Sequence, residues 1–117
     1  MHDPLIAATV LFLIPLAGVL IAAFYYLDQL IRHEYSFHRQ AWERDGRPNG
    51  FLFRPPELRF FSSGIAFQRC SLAWPFYTPE WVRADATARS LHRRMRICVL
   101  VWNAGLIAFI LLVIPHL

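Results

Sequence analysis

Two stretches of this chain carry no charged residue: residues 4–27, 24 in number, and residues 97–117, 21 in number. At 1.5 Å of rise per residue, a helix of about 20 residues crosses the roughly 30 Å hydrocarbon core of a bilayer. Both stretches reach that length. The competing reading places two apolar helices inside a soluble core. It fails on size, because a chain of 117 residues has too little other mass to cover two such helices on all sides. The expected fold is therefore an all-α membrane protein, a two-transmembrane-helix hairpin. The first stretch does not resemble a cleaved signal peptide. Its leader "MHDP" holds an acid and no Lys or Arg, the apolar run exceeds an ordinary h-region, and no A-x-A site closes it. It reads as an uncleaved anchor.

The distribution of charge orients the hairpin. All twelve cationic residues are arginines, the first Arg32 and the last Arg96. The same segment holds six acids, Glu34, Glu43, Asp45, Glu57, Glu80 and Asp85, for a net of +6. The positive-inside rule places residues 32–96 in the cytoplasm and both termini in the periplasm. Arginine without lysine points to a GC-rich bacterial genome, hence the bacterial inner membrane. The sequence pI near 9.7 also raises nucleic acid as a partner. Membrane topology accounts for the same charge, and the chain has no RNA-binding signature, so no nucleic-acid partner is expected. Cys70 and Cys98 form no CxxC pair and fall at or inside the cytoplasmic boundary, where thiols stay reduced.

Beyond the apolar run, "YLDQLIRHEYSFHRQAWERDG" has no Pro or Gly before Gly46. The pairs Asp28/Arg32 and Glu34/His38 stand at a helix-supporting spacing of four. A cytoplasmic stem is therefore expected to continue transmembrane helix 4–27 to about residue 45, where "DGRPNG" breaks it. On the other side, Thr78 fits an N-cap, Pro79 the first helical position and Glu80 the positive dipole end. A second stem, 78–96, should run unbroken into transmembrane helix 97–115. Between the long stems lies an irregular interfacial loop, 46–77, rich in proline and aromatic residues. Prolines 48, 55, 56 and 75 exclude a long helix, though short interfacial helices fit within 57–69. The loop has too few apolar residues for a core of its own. Its rings suit a surface: lipid headgroups or a groove on another integral membrane subunit. The candidate contact residues are Phe51, Phe53, Arg54, Arg59, Phe60, Phe61 and Trp74.

No catalytic motif is found, and an enzyme is not expected. "HEYSFH" places His33 and His38 five apart, where a zincin helix needs four, so no metal site is expected. His33 and His92 lie at similar depth on different helices and could ligate a haem b axially; otherwise no cofactor is expected. Asp28 near the inner boundary reads as an ion pair with Arg32. For helix packing, Gly18 and Ala22 form a small-xxx-small pair expected to face Ala104, Gly105 and Ala108. Asn103 should find an amide partner across a helix interface, and Pro15 should kink the first helix.

Three features, "NGFLF" after the first stem, "HRRMR" before the last span and "PHL" at the end, together with the layout, resemble the universal stress protein B family of bacterial inner-membrane proteins. That resemblance implies a membrane protein linked to stress survival, with no reaction and no catalytic residues to carry over. The function expected from the residues is a non-catalytic accessory subunit that stabilises a larger inner-membrane complex, respiratory or photosynthetic. The alternatives are a free-standing stress-related membrane protein and a haem-binding electron-transfer subunit.

Overall fold

The computed structural model describes residues 3–56 and 60–116, apart from the side chains of Asp3 and Phe60. Five α-helices are described: α1 (Asp3–Phe37), α2 (Arg39–Arg44), α3 (Phe60–Ala73), α4 (Glu80–Arg83) and α5 (Ala86–Leu112), followed by a short 3-10 turn (Ile114–His116). There is no strand among the described residues. Helices α1 and α5 are each long and apolar enough to cross a membrane. They run antiparallel, since Phe12 near one end of α1 meets Phe109 near the end of α5, while His33 meets Asp85 just before α5. Only 6% of each apolar window is buried within the chain, unlike the core helices of a soluble protein.

One seam holds the hairpin together. On α1 the buried residues Leu16, Ala23, Leu27, Leu30 and Glu34 recur at intervals of seven, four, three and four. On α5 the buried Ala88, His92 and Met95 are continued by the half-buried Val99. Spacings that alternate between three and four keep one stripe of each helix facing the other. Most of the burial lies in the polar half of the molecule. There the seam joins Ile31, Ala41, Trp74, Trp81 and Val82 in one compact core. Each such side chain, taken fully out of water, contributes about 1.5–3 kcal/mol. The loop region thus supplies part of a core that the sequence reading denied it: Trp74 and Cys70 lie inside it, and Phe53 and Phe67 pack against it.

Both stems are broken where continuous helix was expected. α1 ends at Phe37, because His38 adopts φ −134° and ψ 55°. The six-residue α2 follows and leads into two left-handed residues, Gly46 (φ 93°) and Arg47 (φ 57°). The second stem starts one residue later than expected, with Pro79 rather than Thr78 as N-cap, and α4 is a single turn. The chain then extends at Asp85 (φ −129°, ψ 116°), whose side chain accepts a hydrogen bond from the Ala88 amide and so starts α5. An N-cap aspartate satisfies one of the four amides that a helix start leaves open. Within the loop, α3 occupies 14 residues between Pro56 and Pro75, longer than the short helices expected there.

The expected small-residue contact is shifted. Gly18 faces open space, with nothing within 4 Å of a Cβ placed on it. Gly105 does lie in the seam, where a Cβ would run into the Leu16 side chain. Leu16, not Gly18, is the α1 residue that uses the hollow at Gly105. Ala22 and Ala108 are half-buried and Ala104 is exposed. Asn103 does not bond across the hairpin; its Nδ2 donates to the Val99 carbonyl of its own helix (2.9 Å). Pro15 lies inside α1, which continues through it.

Candidate functional site

The polar half carries two arrangements that hold the loop and stems in place. In the first, the buried Asp28 ends the apolar part of α1. Its Oδ1 accepts the backbone amides of Leu52 (2.9 Å) and Phe53 (2.8 Å). Its Oδ2 reaches the Arg32 guanidinium at 3.8 Å. The Gly50 amide donates to the Phe53 carbonyl (2.9 Å), so "GFLF" is a turn folded over a carboxylate. A Cβ at Gly50 would strike that carboxylate, which explains a glycine there. Phe51 stacks on Phe24 at 5.1 Å, and Phe53 meets Tyr35 edge-on at 5.3 Å with Arg32 over its ring.

The second arrangement joins the two helix breaks. His33 Nε2 lies 2.6 Å and His38 Nε2 2.7 Å from the same oxygen, Asp85 Oδ2. Asp85 Oδ1 is held by the Ala88 amide at 3.1 Å. The hydrogen bonds from His38, then His33, keep the Asp85 carboxyl well below the usual carboxylate range. An ionised carboxylate only accepts, so each imidazole presents an Nε2–H to it. His33 rests on Phe37 (4.7 Å between ring centres) and His38 on Trp81 (5.1 Å). On a continuous helix, residues five apart would point in different directions. The break at His38 swings its ring back beside His33.

A third group lies deeper. Glu34, in the stem below the apolar run, is fully buried; no N–H or hydroxyl donor reaches either of its oxygens among the described residues, and the group its carboxyl meets is that of Asp45. Burial first, and then the Asp45 carboxyl, push Glu34 up to about 11. Glu34 therefore keeps its proton at neutral pH and stands as an uncharged acid in the core. Burial likewise raises the Cys70 thiol, with Asp45 and Glu34 adding to the effect. Cys70 is thus an inert core thiol rather than a nucleophile.

The residues expected at a partner or lipid surface separate into two sets. Trp74 is buried and Phe53 packs on the core. Phe51, Arg54 and Phe61 are exposed. Arg59 and the side chain of Phe60 lie outside the described residues. The structure does not offer His33 and His92 to a common haem. His33 is committed to Asp85, and the buried His92 donates through Nε2 to the Trp74 (2.8 Å) and Tyr77 (3.1 Å) carbonyls. The residues that sequence reasoning missed are His38 and Asp85. The signal for Asp85 was present, an aspartate directly before an alanine-rich helical run. For His38 no local signal exists. No family model, no curated protein and no solved structure matches the chain.

Proposed function

We propose that this protein is a non-catalytic subunit of a larger bacterial inner-membrane assembly, spanning the membrane twice with residues 32–96 in the cytoplasm, and that it docks to integral membrane partners through α3. One observation carries this reading. On α3, Phe61, Ile65 and Leu72 lie outside both apolar runs at intervals of four and seven and are between 63% and 79% exposed, and Phe76 in the turn after α3 is 72% exposed. Exposed apolar side chains in line on one helical face form a patch of the kind that marks an interaction surface. Arg89, Arg93 and Arg96, with Thr78 and Ser90, line a groove at the foot of the apolar half of α5. Guanidinium groups spaced three and four apart at that position suit headgroup phosphates.

The test is mild-detergent extraction followed by native electrophoresis and mass spectrometry. The wild-type chain should migrate with membrane-protein partners. Ile65→Glu with Leu72→Glu should release it from them while leaving it in the membrane fraction. These positions are better probes than Phe53, whose loss would disturb the chain's own core. A wild-type chain that migrates alone, or a double variant that keeps all its neighbours, would refute the docking role of α3.

A further inference from the structure

We propose that His33, His38 and Asp85 form a binding site for one divalent first-row transition-metal ion, with Zn2+ the best fit, which clamps the two helix breaks at the neck of the hairpin. Among the described residues, these three side chains are the one group whose donor atoms converge in this way. One ligand atom from each lies within 4.8 Å of the others. Two imidazole nitrogens and a carboxylate oxygen are an ordinary ligand set for zinc and for non-haem iron.

The distances permit the ion with small adjustment. Ligands about 2.0–2.1 Å from a tetrahedral zinc stand about 3.4 Å from one another. The present hydrogen-bond contacts, 2.6 and 2.7 Å, would have to open by about 0.7 Å. A rotation of the Asp85 carboxylate about its side-chain torsions covers that distance. The imidazoles need lose no net proton. Each moves its hydrogen from Nε2 to Nδ1 and presents the Nε2 lone pair, as a neutral histidine ligand does. All three side chains are only partly buried, so a water molecule can complete the coordination.

The surroundings are those of a held site rather than a chance cluster. The Ala88 amide fixes the free oxygen of Asp85, while Phe37 and Trp81 pack on the two imidazole rings. Such outer contacts set ligand orientation in metal sites. The ligands also come from three different places: the end of α1, the break before α2, and the N-cap of α5. An ion there would join segments about fifty residues apart in sequence. The group uses neither the α3 face nor the apolar runs, so it stands independently of the docking role.

The experiment is titration of the full-length, tag-free protein in detergent micelles with Co2+ and then Zn2+. The expected result is one Co2+ per chain with visible d–d bands, displaced by one Zn2+, and a thermal midpoint that rises with Zn2+. His33→Gln and His38→Gln should each weaken binding by at least about tenfold, whereas His116→Gln should leave it unchanged. X-ray absorption of the Zn2+-loaded wild type should count two imidazole ligands, a readout that stands even if a variant fails to fold. No stoichiometric uptake by the wild type would overturn the site. So would fewer than two imidazoles on the zinc, or binding that survives in a folded His38→Gln variant; the last result would mean adventitious binding at other histidines.

Discussion

Asp28, on α1, ties the turn at residues 50–53 of the loop to the hairpin. Its pairing with Arg32 is long, at 3.8 Å, and Arg32 is half exposed, so the pair contributes little. The two amide bonds to Leu52 and Phe53 are short, charge-assisted and shielded, and those are the stronger kind. Asp28→Ala should therefore destabilise the polar half by about 2–4 kcal/mol. It should also open residues 50–56 to limited proteolysis in detergent. Asp28→Asn keeps one acceptor oxygen and should lose about half as much. An Asp28→Ala protein with unchanged melting and unchanged cleavage would show that the turn is held by Phe51 on Phe24 and Phe53 on Tyr35 instead. The sequence could pair Asp28 only with what lay one helical turn away. Its real partners are backbone amides 24 and 25 residues on, and no spacing rule reaches that far. The same holds for Gly50, whose need for a missing Cβ follows from the carboxylate above it.

The long helices were legible because each is written in uninterrupted apolar residues, and a helix is the one structure that satisfies a lone backbone segment in lipid. Their breaks were not equally legible. The break at Asp85 has a local cause, since the carboxylate caps α5. It was hidden by the stronger-looking Thr78–Pro79–Glu80 start, whose N-cap Thr78 lies seven residues earlier. The break at His38 has no Pro or Gly behind it, and its ring bonds to a residue 47 positions away. The packing register was half legible. Small residues do mark the interface, but which of them lie in it depends on the rotation of each helix, and α1 turns Leu16 and Ala23 inward and Gly18 outward. This gives a paired expectation for the isolated protein in detergent. Gly105→Leu should destabilise the hairpin by about 1–3 kcal/mol, because its side chain must displace Leu16. Gly18→Leu should stay within about 0.5 kcal/mol of wild type. Equal effects from both variants in thermal unfolding would mean that the helices pack in another register.

The whole molecule is a bare apolar pair of helices joined to a compact polar half, and the two halves differ in what covers them. In the apolar half, nearly all of each helix window lies open, which is stable only if lipid or neighbouring helices supply the contacts. In the polar half, the chain buries Trp42, Trp74 and Trp81, while Phe37, Leu52, Phe76 and one apolar face of α3 stay exposed among the described residues. The described arginines lie in the polar half, and three of them line the groove directly below the apolar part of α5. Positive charge at that position resists translocation, so the polar half should remain in the cytoplasm and both ends of the hairpin should reach the periplasm. Labelling with a membrane-impermeant maleimide in intact bacterial cells checks this. A cysteine at Gln68, exposed on α3, should label only after the inner membrane is permeabilised, whereas a cysteine at His116 should label at once. Gln68 suits the experiment better than Asn49, which is buried against the loop. The native Cys70 is buried too and should add little background. Immediate labelling at Gln68 would invert the topology. It would also place the α3 face, and the docking proposed for it, on the periplasmic side.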